Sequence, residues 1–221
     1  MAGMVIISCK KDLGVKPDVA ALNIINAAES VPQAAVNFAA TNLIYANEMS
    51  FVPYQSSLKF SLPSGNNQVN IISSADTTRT IFHGNFNIVN GGIYSLYISG
   101  NVAKPDTVFM KDNIPYYPTD SLSGARFINL CADSQPLSIN LQGSSQAEFS
   151  NIAYKKIGAF KSYSAVTNVT NNGGYNYEIR DKSGNLLTSF NWNPIVYKNY
   201  TLVISGLVGD GSISVFPVNN F

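Results

Sequence analysis

Histidine is almost missing from this chain, and cysteine nearly so: His83 stands alone, and Cys9 and Cys131 are the only thiols. A Ser-His-Asp or Cys-His arrangement needs a histidine with placed partners, and a zinc site needs several nitrogen or sulfur ligands. His83 falls on the strand face opposite Phe82 and Phe86, so it reads as a surface residue. No nucleophile elbow, phosphate loop, His-Glu zinc motif or paired-cysteine site occurs. Charge is scarce as well. Asp, Glu, Lys and Arg make up 12% of the residues, about half the usual share near 25%. A net charge of +1 leaves no electrostatic footprint for nucleic acid or for an anionic membrane. No run approaches the ~20 apolar residues that span a bilayer as a helix. The 13 carboxylates are scattered, and no spacing favours a glycosidase pair or a calcium loop. No metal or cofactor is expected, and an enzyme is the least supported class.

What the chain has is a duplication. Ala21-Leu22-Asn23-Ile24-Ile25-Asn26-Ala27-Ala28 returns as Ala125-Arg126-Phe127-Ile128-Asn129-Leu130-Cys131-Ala132. Each copy continues through a Pro turn (Pro32, Pro136) into a short apolar-alternating segment, Ala35 to Phe38 and Ser138 to Leu141. Near the far end, Tyr94-Ser95-Leu96-Tyr97-Ile98-Ser99-Gly100 matches Tyr200-Thr201-Leu202-Val203-Ile204-Ser205-Gly206. The period of roughly a hundred residues is that of one small sandwich domain. In this alignment Cys131 takes the place of Ala27 and fills core volume as a small hydrophobe.

Period-two alternation dominates, as in Tyr94, Leu96 and Ile98 or Tyr200, Leu202 and Ile204. Further strands are expected over Leu58–Leu62, Gln68–Ser73, Thr80–Val89, Ser162–Val169, Tyr175–Arg180, Leu186–Trp192 and Ser212–Val218. Asp181-Lys182-Ser183-Gly184-Asn185 and Asp210-Gly211 read as hairpin turns. Only Gln33 to Met49 has a helical stretch. The expectation is an all-β chain of two tandem antiparallel β-sandwiches, immunoglobulin- or transthyretin-like. Their bounds are 19–112 and 123–221, joined by a Pro-containing spacer at 113–122, with 1–18 as tether. Each module is expected to close its own apolar interior.

Met4-Val5-Ile6-Ile7-Ser8-Cys9 followed by Lys10-Lys11-Asp12 looks like the end of a bacterial lipoprotein signal. In that resemblance Cys9 becomes the lipidated N-terminus, and a polar spacer keeps the domains off the bilayer. The apolar part is a stub of a full signal, which needs roughly 7 to 15 apolar residues, so the true start is expected upstream.

Aromatics are the remaining hook. Tyr116 and Tyr117 lie in the spacer and Trp192 ends a strand. Such rings can stack on sugars or anchor a partner. Core packing competes for Trp192, Tyr175 and Tyr177, and wedging the two modules together competes for the spacer tyrosines. Asp76-Thr77-Thr78, Asp106-Thr107-Val108 and Asp120-Ser121-Leu122 resemble O-glycan acceptor triplets of some Gram-negative exported proteins. Thr77, Thr107 and Ser121 are thus candidate acceptors, all expected in loops or linker edges.

The tandem openings Leu22 to Pro32 and Phe127 to Pro136 resemble those of an uncharacterised extracellular bacterial family, domain of unknown function 4397. The likeness spans residues 20–221, with Glu29 and Asp133 as the acidic turn residues. It implies a secreted or surface-anchored β domain and carries over no catalytic residue. The leading reading is a non-enzymatic, lipid-anchored extracytoplasmic or outer-membrane protein serving interaction or adhesion. The alternative is a glycan-binding accessory module that uses loop-end aromatics.

Overall fold

The computed structural model describes residues 18–38, 49–117, 121–166, 169 and 172–220. The first half forms two four-stranded sheets. One runs β4 (Ser56–Pro63), β1 (Val19–Asn26), β7 (Ile93–Asn101) and β8 (Lys104–Lys111). The other runs β3 (Ser50–Pro53), β2 (Gln33–Asn37), β5 (Gly65–Ser73) and β6 (Thr80–Ile88). The second half repeats both. Its first sheet is β12 (Lys161–Ser164), β9 (Leu122–Asn129), β15 (Asn199–Ser205) and β16 (Ser214–Asn219). Its second is β11 (Ala147–Ile152), β10 (Leu137–Leu141), β13 (Tyr175–Arg180) and β14 (Leu186–Trp192). Strand n of the first half corresponds to strand n+8 of the second throughout. Pairing is antiparallel except for β1 with β7 and β9 with β15, which run parallel.

Alternation builds the two sandwich cores. Leu22, Ile24, Leu96 and Ile98 meet Val36, Val69, Ile71 and Phe86 inside the first half. Phe127, Leu202 and Ile204 meet Ile139, Tyr177, Ile179 and Trp192 inside the second. Alternation then fails in an informative way. β7 and β15 are buried on both faces, as strands are only when both faces of a sheet are covered. The cause is a third apolar layer. Ile25, Ala27 and Tyr97, with Val108 and Met110, pack against Ile128, Leu130, Val203, Phe216 and Val218. The two inner sheets lie face to face, so four sheets stack in series. Each half does close its own interior, but a further core joins them.

That middle layer is pseudo-twofold. Ile25 corresponds to Ile128, Ala27 to Leu130, Tyr97 to Val203, Val108 to Phe216 and Met110 to Val218, so each half offers the same patch, as in a symmetric dimer interface. The correspondence corrects the sequence alignment by one residue. Asn26 and Asn129 end their strands in the same way. Each Oδ1 accepts from the N–H two residues on, and each Nδ2 donates back to the following loop or the β3/β11 strand. Cys131 therefore corresponds to Ala28, and both fill sandwich cores. Ser30, whose Oγ accepts from Val102 N–H, corresponds to Asp133, whose carboxylate accepts from Val208 N–H. Glu29 is not the counterpart of Asp133. A slip of one residue exchanges the faces of a strand, which is why the sandwich and junction residues were merged in sequence.

Other expectations change too. The first part of the Gln33–Met49 segment is strand β2, whose Ala34, Ala35 and Val36 are buried; residues 39–48 lie outside the described ones. The Ser162–Val169 strand is shorter, Lys161–Ser164. β8 replaces an expected loop. Residues 113–117 are not a spacer between separated modules. The sandwiches touch directly, and Asn199 Nδ2 donates to Pro115 O at 3.0 Å, binding this segment to the second half.

β1, β7, β9 and β15 all begin at one end, the base, and finish at the other, the crown. Asp112, next to Ile93, reaches Arg126 toward the base, while Gln55, next to Asn26, reaches Ser205 at the crown.

Candidate functional site

The crown is where the halves exchange polar contacts. Gln55 and Lys155 occupy equivalent turns, both in the left-handed region, with φ of 55° and 65°. Each donates its N–H to the strand-ending asparagine, Gln55 to Asn26 O at 2.8 Å and Lys155 to Asn129 O at 2.7 Å. A non-glycine residue held there costs about 1–3 kcal/mol, so the surrounding structure must over-determine it. What it secures is reach across the junction. Gln55 Nε2 donates to Ser214 Oγ at 2.6 Å and Ser205 Oγ at 3.3 Å. Lys155 Nζ meets Asp106 Oδ1 at 2.8 Å, and Tyr154 OH lies 3.3 Å from Asp106 Oδ2 and 2.9 Å from Ser99 Oγ.

Beside this contact opens a cleft of about 470 Å³, within the range of small-ligand sites. Gly100, Asn101, Lys104, Pro105 and Asp106 line it from the β7–β8 hairpin, and Ala132 and Tyr154 from the second half. Gly100 is required by its geometry. Its φ is 72°, and a Cβ there would run into the Lys104 carbonyl oxygen. Gly206, at φ 84°, meets the same constraint from Ser212 O. Partial burial pushes the Asp106 carboxyl up, but bonds from Lys155, Thr107 N–H and Tyr154 outweigh it and hold the group below its ordinary value. Asp106 thus stays ionised and paired, Tyr154 supplies a phenol whose pKa burial raises, and Lys104 stands exposed at the rim. The cleft can bind a polar ligand through hydrogen bonds and charge.

A second junction feature is closed. Arg126 forms an ion pair with Asp112, with side chains 5% and 1% exposed. Arg126 Nε also donates to Thr201 Oγ1, and its guanidinium lies 4.4 Å from the Phe160 ring. Ser95 Oγ completes the Asp112 shell at 2.6 Å. Removing such ions from water is costly unless every partner is in place.

The residues singled out from sequence disperse. Trp192 is 3% exposed within a ring cluster of Tyr163, Tyr175, Tyr177 and Tyr200. It is a core residue and corrects the reading of Trp192 as a ligand contact, because the aromatic face that would stack on a sugar is spent on neighbouring rings. Tyr116 is 84% exposed and wedges nothing. Tyr117 lies against Gly124, where a Cβ would crowd its ring. Both are at the base, away from the crown cleft. Thr77 sits in an exposed turn, and Ser121 at the edge of β9. Thr107 belongs to strand β8, half-buried, not to a loop; Pro105 and Asp106 had made this strand look irregular. Cys9 lies outside the described residues. His83 is exposed, 3.5 Å from Gln68 Nε2. Cys131 is held as a thiol: burial, then its bond to Asp133, pushes its pKa up to about 12, which removes it as a nucleophile at neutral pH. Among the described residues, no group of three or more His, Cys, Asp or Glu side chains is placed to hold a metal.

Sequence reasoning missed Gln55, Asp106, Tyr154, Lys155 and the Arg126–Asp112 pair. One signal was present for the last: an arginine within an otherwise apolar strand must be partnered if that strand is central.

No protein-family model matches the chain, and no curated protein matches it. Among solved structures, it is similar to a carbohydrate-binding module of family CBM26 from Eubacterium rectale, in complex with maltoheptaose. The match has 6% identity and a TM-score of 0.27, covering 90% of this chain and 96% of that one. It is also similar to a candidate cell adhesion protein from Bacteroides uniformis, with 11% identity, a TM-score of 0.25, and 91% and 96% coverage.

Proposed function

We propose that the chain is a non-catalytic, extracytoplasmic interaction module, lipid-anchored through Cys9 at the surface of a Gram-negative cell, that meets its partner at the crown. The observation that carries the reading is the cleft lined by residues of both halves beside the Asp106–Lys155–Tyr154 contact. The partner is a protein or a glycan. The glycan reading moves from aromatic stacking to the crown, where Asn101, Lys104 and Tyr154 offer groups that bond to sugar hydroxyls.

The test is a glycan array and a cell-surface pull-down with the native chain beside Lys104→Glu and Tyr154→Phe. The reading expects a ligand whose binding both substitutions weaken at least about tenfold, the worth of 1.4 kcal/mol. A ligand bound equally by both variants would place the site elsewhere. Anchoring is tested separately, by metabolic labelling with a lipid analogue of the wild type and of Cys9→Ala. Label on both, or on neither with a complete signal restored, removes the anchor.

A further inference from the structure

We infer that the base of the molecule is a bilayer-docking surface, on which exposed Val19, Val89, Tyr116, Ile195 and Tyr197 enter the headgroup zone of an anionic membrane beside Lys111 and Lys198. The inference deepens the anchored reading, from which it takes the direction the base faces.

The placement comes from the fold. Val19, the first residue of β1, is bonded to the turn that carries Val89: Gly91 N–H donates to Val19 O at 2.8 Å, and Gly92 N–H to Val89 O at 2.9 Å. Tyr197 N–H donates to Leu122 O at 3.0 Å, fixing the 193–198 loop at the start of β9. Asn199 holds Pro115, and with it Tyr116, at the same end. The Arg126–Asp112 pair brings the bases of both halves together. Fractional exposure is 51% for Val89, 56% for Ile195 and 53% for Tyr197. Tyr197 is held at φ 63°, a position that a large side chain rarely takes. Asp18, the first described residue, also lies here, its carboxylate bonded to the Asn90 amide at 2.9 Å. On the anchored reading, the fold therefore meets its tether at the base.

Two features select a membrane as the occupant. The apolar groups are separate tips on three turns, not the walls of a groove, and such tips suit a fluid surface that closes around each one. Tyrosine and aliphatic side chains at the tips, with lysine stems behind them, are the composition of interfacial anchors. Charge agrees. Among the described base residues, Lys111 and Lys198 stand without a carboxylate partner in the ion pairs, Asp112 is buried with Arg126, and Asp18 is tied down. Lys198 is close enough to Lys59 to add to the effect of partial burial in lowering the Lys59 pKa. The crown turns carry charge of both signs, Glu29, Asp76, Asp133, Asp181 and Asp210 beside Arg79, Lys104, Lys155, Lys156 and Lys182, so the unpaired excess of lysine is a local property of the base.

The experiment uses the full chain carrying Cys9→Ala, which has no acyl group, and vesicles of phosphatidylglycerol mixed with phosphatidylethanolamine. Sedimentation should carry the protein with these vesicles and much less with phosphatidylcholine or at high salt. Tyr116→Ser, Ile195→Ser and Tyr197→Asn combined should weaken binding at least about tenfold, and Lys198→Ala about fivefold. Leu186→Ser, exposed at the crown, should leave it unchanged. Near-ultraviolet circular dichroism confirms that each variant is folded. No binding by the Cys9→Ala chain, or equal binding by the triple variant, overturns the surface. The lipid-labelling result is independent: label without vesicle binding leaves the anchor and removes the docking surface, and binding without label does the reverse.

Discussion

At the scale of single residues, charge acts here by being sparse and placed. Asp106 has its pKa lowered from the ordinary 3.8 by Lys155, Thr107 N–H and Tyr154, against the opposing effect of burial. A carboxyl depressed in the folded state adds stability that is present above its unfolded pKa and is lost as pH falls through the folded one. The wild type should therefore lose part of its melting temperature below about pH 4. Asp106→Asn should start lower at neutral pH and fall less steeply over that acid window, in thermal melts across pH. Equal slopes in the two proteins would show that the contact contributes nothing. Residue identity was only partly legible in sequence. Trp192 ends its strand, so a loop-end ring and a core ring both fit its position in sequence, and the meeting of β13, β14 and β15 decides for the core, with Tyr175, Tyr177 and Tyr200 as neighbours. The value of Lys155 depends on a partner 49 positions away, which no local pattern encodes.

Elements were read best where both local signals agreed. β13 and β14 have alternating apolar residues bounded by Gly174 and by the Asp181–Asn185 turn, and their ends match the expected Tyr175–Arg180 and Leu186–Trp192. β8 was missed because Lys104, Pro105 and Asp106 open it with loop chemistry, although at an edge strand a proline without N–H is tolerated. The turn that precedes it gives a sharp test. Gly100→Ala and Gly206→Ala should each destabilise by about 1–3 kcal/mol, since both positions combine a positive φ with a blocking carbonyl. Gly211→Ala is also at a positive φ but has nothing within 4 Å of the added carbon, so it should cost less. Urea midpoints for the three variants check the ranking, and a cost for Gly211→Ala as large as the others would refute the role of the carbonyl contact.

The whole molecule departs from two beads on a string. Duplication was visible in sequence, but the joining layer was not: Ser95, Tyr97 and Ser99 lie between the apolar positions of β7 and read as an outward face until the second inner sheet covers them. With a shared apolar layer and a buried ion pair, calorimetry should give one unfolding transition for both halves. Asp112→Ala strands Arg126 in that layer and should cost about 3–5 kcal/mol, whereas Arg126→Met with Asp112→Leu should be near neutral. Tyr97→Ala, at the centre of the layer, should split the transition in two by removing roughly 3–5 kcal/mol of packing. Two transitions in the wild type would mean that the halves fold independently.

The direction in which strands β1 and β9 run has a mechanical consequence. If the chain is anchored through its N-terminal side and bound at the crown, as proposed, tension enters at Asp18 and acts along β1, which is flanked on both sides, by β4 over Val19–Asn26 and by β7 over Ala21–Asn26. Ladder bonds lie across that line of pull, so they bear the load together in shear and do not open one at a time from an end.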